Sequence, residues 1–394
     1  SAATILVGQC LGAGNVPEAK RAVTSGAGLF VILSVCMSIA GLVLAEPMLS
    51  AMKTTPESLA LAVSYIQVMF LALPVIYVYI YFICILLGAG DSKTPLWSMA
   101  LTAIVSAILN PIFIFGGGPL SPMGIGGSAL AVLVSQAVSL AVLVWNLYHR
   151  RHPLCFYKND AASLRVDWPI VSILLRKGVP IGAQVFVVAF SGVVMMAYVN
   201  RFGVETTAAY GASIQLWTYI QLPGLAISTA VSAMVAQSVG ARNWKRVRKT
   251  TQLAVTGCAL VTGLAVLLVY AMGSHAYRLF LPENSSSLEI ASHLNKVALW
   301  SLIFVMVAVV LFGVMRATGV VMAPLLIHCV SLFGVRFPLA ALLIDSWQAD
   351  AIWWSFSISC AVDLVLATLY YRYGNWRGGS RLLAGSALNV APGK

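Results

Sequence analysis

Seven stretches of this chain, 22–45, 58–90, 94–149, 178–200, 206–241, 250–277 and 297–315, contain no Asp, Glu, Lys or Arg. Each reaches the roughly 17–25 residues with which a helix rising 1.5 Å per residue crosses about 30 Å of hydrocarbon. Hydrocarbon offers backbone amides no water, so every crossing segment must satisfy its own hydrogen bonds, as a helix does. The run from 94 breaks at Gly116-Gly117-Gly118-Pro119 into two helices, and the chain beyond Arg316 supplies two more, each carrying one internal charge. The sequence therefore predicts ten spans of an all-α integral membrane protein. Composition agrees: 60% of residues are apolar and 9% charged, against about a quarter charged in soluble domains.

A net charge of +12 raises the question of a nucleic-acid partner, and the distribution of the charge answers it. When successive loops alternate sides, nineteen Lys and Arg fall on one side, while Lys53, Arg201, Arg278 and Lys296 fall on the other and Arg336 stays within a span. That asymmetry is topological and places the rich side, with the C-terminus, in the cytoplasm. It points to a multi-pass protein of the plasma membrane, the bacterial inner membrane, whose basic clusters meet anionic lipid rather than nucleic acid. The cysteines and histidines are scattered without ligand spacing, so neither a disulfide framework nor a metal site is indicated.

The chain is internally duplicated. Gln9, Gly12, Ala13 and Asn15 recur as Gln237, Gly240, Ala241 and Asn243, 228 residues on; Gly90 and Pro95 recur as Gly319 and Pro324, 229 on; and Ser58-Leu59 recurs as Ser287-Leu288. Six spans separate the copies of the motif, and six is even, so the two halves run in parallel, an arrangement used by transporters. The expected organisation is an N-terminal lobe over 1–150, an inter-lobe cytoplasmic loop over 151–167, a C-terminal lobe over 168–377 and a cytoplasmic tail over 378–394. The second copy opens near Trp168, well ahead of Gln237, whereas eight residues precede Gln9. By symmetry, about 61 further residues, comprising a first helix and most of a second, are expected before Ser1 in a parent of six plus six helices.

The motif reads locally as a helix junction. Gly12 or Gly240 is expected to take the left-handed position that ends one helix, and Asn15 or Asn243 to cap the next, with Glu18 completing a capping box in the first copy. In the second copy the next helix opens on Lys245, Arg246, Arg248 and Lys249, the wrong sign for a helix N-terminus.

Ionisable groups within spans cost about 2.5–3.5 kcal/mol on insertion scales and so mark function or pairing. Asp363 and Arg336 qualify as ion-coupling candidates. Reckoned from the turn between their helices, they lie at similar depths, which suggests an ion pair, and Ser355, Ser359 and Asp363 share one helical face. Aromatic and amide side chains at helical spacing are substrate-pathway candidates: Gln67, Tyr77 and Tyr81, with Phe70 and Pro74 between them; Tyr210, Trp217 and Gln221; and singly Gln184 and Trp300. Such faces suit organic cations, although the same spacing also describes simple packing. Pro74, Pro111, Pro180, Pro223 and Pro338 fall inside spans and permit bending. No nucleophile, phosphate-loop or metal-hydrolase motif is present, which argues against an enzyme.

QCLGAGN ahead of PEAKRAV, QSVGARN ahead of WKRVRK, LLGAGDSKTP and VMRATGVVMAP together resemble the multidrug and toxin extrusion (MATE) family over essentially the whole chain. The resemblance implies two pseudo-symmetric six-helix lobes and a monomeric antiporter with no obligate protein partner and no cofactor. Such a carrier exports small organic, often cationic, compounds against inward flow of Na⁺ or H⁺. A lipid-linked saccharide flippase of the same superfamily is the alternative. Where many relatives carry a glutamate shortly after a GxP turn, this chain has Val188 and Gly192 beyond Pro180. Where several carry an aspartate later on, it has only apolar and small residues from Val297 to Met315.

Overall fold

The structure, a computed structural model, describes residues 2–51, 56–117, 121–155, 166–282 and 285–377. The described elements are helical: α1 (Ala2–Gly12), α2 (Val16–Ala51), α3 (Pro56–Ala89), α4 (Lys93–Phe115), α5 (Gly124–His149), α6 (Trp168–Val199), α7 (Val204–Gly240), α8 (Trp244–Met272), α9 (His275–Arg278), α10 (Ser286–Ala298), α11 (Leu302–Ala317), α12 (Met322–Cys329), α13 (Phe337–Trp347) and α14 (Ala349–Tyr373). Short 3-10 turns follow α6 and α10, and a π-helical segment, Val330–Arg336, joins α12 to α13. Counted through those joints, ten helical stretches are long and apolar enough to cross a membrane, the number the charge-free runs predict. The protein is an integral, multi-pass membrane protein. Several helices outrun their charge-free cores: α6 carries Arg176 and Lys177, and α8 opens on its four cations. A charge-free run marks the depth of hydrocarbon, whereas the helix itself continues into the headgroup layer.

Contacts divide the chain into two compact units, residues 3–174 and residues from 175 on, so that the cut falls in the second turn of α6. Of the expected inter-lobe loop, 156–165 lie outside the described residues, as does the tail, 378–394. In the first unit α3 packs against α2 and α5, and α5 against α4. In the second, α7 and α11 form the centre, flanked by α8, α10 and α14, while α13 and the π-helical segment lie along α14. The core of that unit collects Met195, Tyr210, Trp217, Leu302, Ile352 and Trp353.

The duplicated landmarks fold into duplicated turns. At the end of α1 the Asn15 N–H donates to the Cys10 carbonyl (3.0 Å) and the Gly14 N–H to Leu11 (3.0 Å); at the end of α7 Asn243 donates to Ser238 (2.8 Å) and Arg242 to Val239 (3.0 Å). Both are Schellman motifs. A second pair ends α3 and α11, where Asp91 donates to Leu86 (2.9 Å) and Val320 to Met315 (3.1 Å) around Gly90 and Gly319. Asn15 and Asn243 cap as expected, accepting at Oδ1 from the N–H of Glu18 (3.1 Å) and Arg246 (3.0 Å).

Two expectations are corrected. The left-handed residues are Gly14 (φ +76°) and Arg242 (φ +55°), not Gly12 and Gly240, which are the last helical residues. The capping box is half formed, because the Asn15 N–H is already used by Cys10 and the Glu18 carboxylate turns to Arg21 at 3.9 Å. Where the first copy has glycine at the left-handed position, the second has arginine, which is strained there by roughly 1–2 kcal/mol. Arg242→Gly is therefore expected to raise the midpoint of thermal unfolding in detergent, by the equivalent of about 1 kcal/mol after glycine's greater unfolded-state entropy is subtracted.

Candidate functional site

Three elements of the second unit place polar side chains inside it. On α14, Ser355, Ser359 and Asp363 are all buried, as one helical stripe requires. Facing them, His328 near the end of α12 brings Nδ1 to 3.0 Å from Asp363 Oδ2, with its ring edge-on to Phe312 at 4.9 Å. Ser331 Oγ donates to the Ser359 carbonyl (2.7 Å), and Arg336 donates from Nε to Ser359 Oγ (2.8 Å). Its remaining nitrogens reach Ser191 Oγ on α6 (3.4 Å) and Cys360 Sγ (3.8 Å), and its guanidinium lies over the Phe356 ring at 4.7 Å.

The backbone explains how one strand of chain delivers all three groups. In an α-helix Arg336 would sit about 140° around from Ser331, five residues earlier. Between them the chain is π-helical, with i→i+5 bonds, so that both reach Ser359. Such segments are uncommon and frequent at functional sites. Pro338 follows immediately; it has no N–H to give and its ring crowds the carbonyl one turn back, which favours an irregular helix at that point.

The expected Asp363–Arg336 ion pair is not formed. Among the described residues Arg336 has no carboxylate within salt-bridge distance, and Asp363 instead takes His328. The depth reckoning falls short by one turn of α14: Arg336 meets Ser359 and Cys360, and neutral oxygens with a ring face serve where a carboxylate was expected. Asp363 Oδ1 is left without a hydrogen-bond partner although the residue is 5% exposed. The buried carboxyl group thus meets an imidazole at one oxygen and leaves the lone pairs of the other uncommitted.

Other pathway candidates are engaged in packing. Tyr210 stacks on Trp353 (5.6 Å) and Trp217 on Phe356 (4.7 Å), both in the core. The Trp217 indole donates to Asn295 Oδ1 (2.7 Å), whose amide donates to Ser213 Oγ and the Ala291 carbonyl. Gln221 is partly exposed. In the first unit Tyr81 is buried and donates to the Val23 carbonyl (2.8 Å), Tyr77 reaches Met37 Sδ (3.6 Å) and Gln67 is exposed, so this stripe largely faces α2. Gln184 is buried with Oε1 unpartnered. Trp300 lines a 290 Å³ apolar recess with Trp354, Ile358 and Val365. His328 and Asn295 are the site and core residues missed by sequence reasoning, since neither belongs to a local motif.

The MatE family model matches residues 1–112 and 180–342, about seven-tenths of the chain. The chain belongs to the MATE family. "Probable multidrug resistance protein YoeA" of Bacillus subtilis is 30% identical over 375 residues, 95% of this chain and 81% of that protein. "Probable multidrug resistance protein NorM" of Geobacillus kaustophilus is 24% identical, covering 97% and 78%. A relative from Shewanella oneidensis, 27% identical over 63% of this chain and 54% of its own length, is named as a FAD transporter. Among solved structures, an outward-facing multidrug resistance MATE transporter of the MOP superfamily superposes with a TM-score of 0.87 at 18% identity, covering 97% of this chain and 83% of that one. Vibrio cholerae VcmN gives 0.86, also at 18%, over 94% and 82%. As a MATE-family protein the chain is a transporter and not an enzyme, and its relatives place it with drug-efflux carriers.

Proposed function

We propose that this MATE protein is a secondary antiporter of the bacterial plasma membrane that exports small organic, often cationic, compounds by alternating access, in exchange for protons bound at Asp363 and His328. The observation that carries the coupling assignment is the unpartnered Oδ1 of a buried carboxylate whose other oxygen meets an imidazole. Carboxylate and imidazole both have lone pairs that accept a proton, so the pair can share one between them. A hard cation such as Na⁺ prefers a shell of oxygens, and here the facing ligand is nitrogen. Arg336, fixed nearby on Cys360 and Ser359, keeps one positive charge in place while the pair changes its own. The carrier works as a monomer with no cofactor, its C-terminus cytoplasmic. The drug-resistance names of the relatives favour export of soluble compounds over flipping of a lipid-linked saccharide, since among the described residues Arg336 is the one cation midway along a span to hold a pyrophosphate.

The test is transport of a cationic dye by reconstituted proteoliposomes under separately imposed gradients. Dye movement is expected to follow a pH gradient and to collapse with a protonophore, while a Na⁺ gradient at constant pH drives nothing. Movement driven by Na⁺ alone would assign the site to that ion instead.

A further inference from the structure

At the end of the second unit where α8 begins and α14 finishes, the chain forms an open cavity of 560 Å³ lined by Trp244, Lys245, Arg248, Lys249, Tyr371 and Arg377, with Val247, Gln252 and Trp376. Its construction is specific. The Trp376 indole donates back to the Tyr371 carbonyl, stacks on the Tyr371 ring at 4.8 Å and 15°, and meets Trp244 edge-on at 6.2 Å. With Trp376 only 3% exposed, the chain leaving α14 is clamped against the first turn of α8. Arg377 is thereby carried to a wall that already holds Lys245, Arg248 and Lys249, which share one face at steps of three and four.

Four cations thus surround one cavity, and no carboxylate is among its lining residues. Among the described residues none of the four forms a salt bridge, and residues 378–394 contain no Asp or Glu. Lys245 also stands in the first turn of α8, where the macrodipole repels a cation. An arrangement repulsive in three ways, yet walled by packed aromatic rings, is that of a site whose anion comes from outside the chain.

Two features decide which anion. Both helices are membrane spans, so their ends lie at headgroup depth, and Trp and Tyr rings are the side chains that settle at that interface. A basic pocket between the ends of membrane helices matches the phosphates of an acidic lipid, and arginine forks hold phosphate oxygens two at a time. We infer that the Lys245–Arg248–Lys249–Arg377 cavity binds the headgroup of an anionic phospholipid carrying two phosphates. This site is separate from the Asp363–His328 pair and stands whether or not that pair couples transport.

Delipidated protein is titrated with diphosphatidylglycerol, phosphatidylglycerol and phosphatidylcholine in detergent, following bound lipid by native mass spectrometry and the fluorescence of Trp244 and Trp376. The two-phosphate lipid is expected to bind at least tenfold more tightly than phosphatidylcholine, and Arg248→Gln with Arg377→Gln to remove that preference. Arg246→Gln is the decisive companion: it deletes the same charge from the same turn but lies outside the cavity, so it is expected to bind like the unaltered protein. Arg377→Lys, which keeps a cation, reports folding if the double variant unfolds and is expected to retain most of the preference. Equal loss in Arg246→Gln would show diffuse surface attraction and overturn the site. Displacement of the lipid by an equal concentration of inorganic phosphate would overturn the lipid assignment in favour of a free anion.

Discussion

Asp363→Asn is expected to abolish gradient-driven export, lowering it by more than about tenfold, while leaving the amount of protein in the membrane unchanged or higher. The reasoning separates insertion from coupling. An acidic side chain inside a span costs about 2.5–3.5 kcal/mol on insertion scales, so replacing it with a neutral isostere relieves that cost and favours assembly. Asparagine keeps the shape of the side chain and an oxygen or amide for His328, so the 3.0 Å contact and the surrounding serine bonds have no reason to collapse. What it removes is a group able to change charge once per transport cycle. Dye uptake into inverted vesicles, normalised to protein detected in the same membranes, is the measurement, and uptake at the level of the parent would discard the assignment. Asp363→Glu restores a carboxylate and is expected to recover part of the activity; an equally inactive glutamate would point to geometry rather than charge.

The spans were legible because hydrocarbon imposes a rule on single residues: a charge between 94 and 149 would have been conspicuous, and none is there. The duplication was legible because a left-handed turn favours particular residues: Gly90 and Gly319 match as glycines, whereas Gly14 is matched by Arg242. Arg242 hides the true turn position, because the nearest glycine, Gly240, lies two residues too early and is still helical. The site was half legible. Asp363 and Arg336 announced themselves as charges within spans, and the stripe from Ser355 to Asp363 was correctly placed on one face. His328 did not, because a lone histidine in an apolar helix carries no spacing signal and its partner is 35 residues away. The π-helical segment, which brings Ser331 and Arg336 to the same serine, is invisible to reckoning at a uniform 3.6 residues per turn, and Pro338 was its only trace. The aromatic stripes were ambiguous for a different reason: helical spacing says which residues share a face, and not what that face meets.

Gly26→Ala tests that last point, and it is expected to destabilise the first unit by about 2 kcal/mol. A Cβ at position 26 would collide with Tyr81 Oη and lie 2.9 Å from its Cζ. The tyrosine cannot simply swing aside, because its hydroxyl donates to the Val23 carbonyl at 2.8 Å and its ring packs on Phe30 at 5.1 Å. Overpacking of this kind costs about 1–3 kcal/mol, and displacing the hydroxyl forfeits a buried hydrogen bond of about 0.5–1.5 kcal/mol. Alanine's better helix propensity returns about 1 kcal/mol, leaving the net near 2. The same logic holds eleven residues earlier on α3, where a Cβ on Gly41 would enter the Phe70 ring: small residues on α2 receive large ones from α3, which is how membrane helices approach closely. In a Tyr81→Leu background the obstacle is gone, so Gly26→Ala is expected to become neutral or mildly stabilising, a coupling of about 2 kcal/mol between residues in contact. Thermal unfolding of the four proteins in one detergent closes the cycle. An equal cost in both backgrounds would mean that Tyr81 is not wedged against α2 and is free to serve the substrate path that its spacing first suggested.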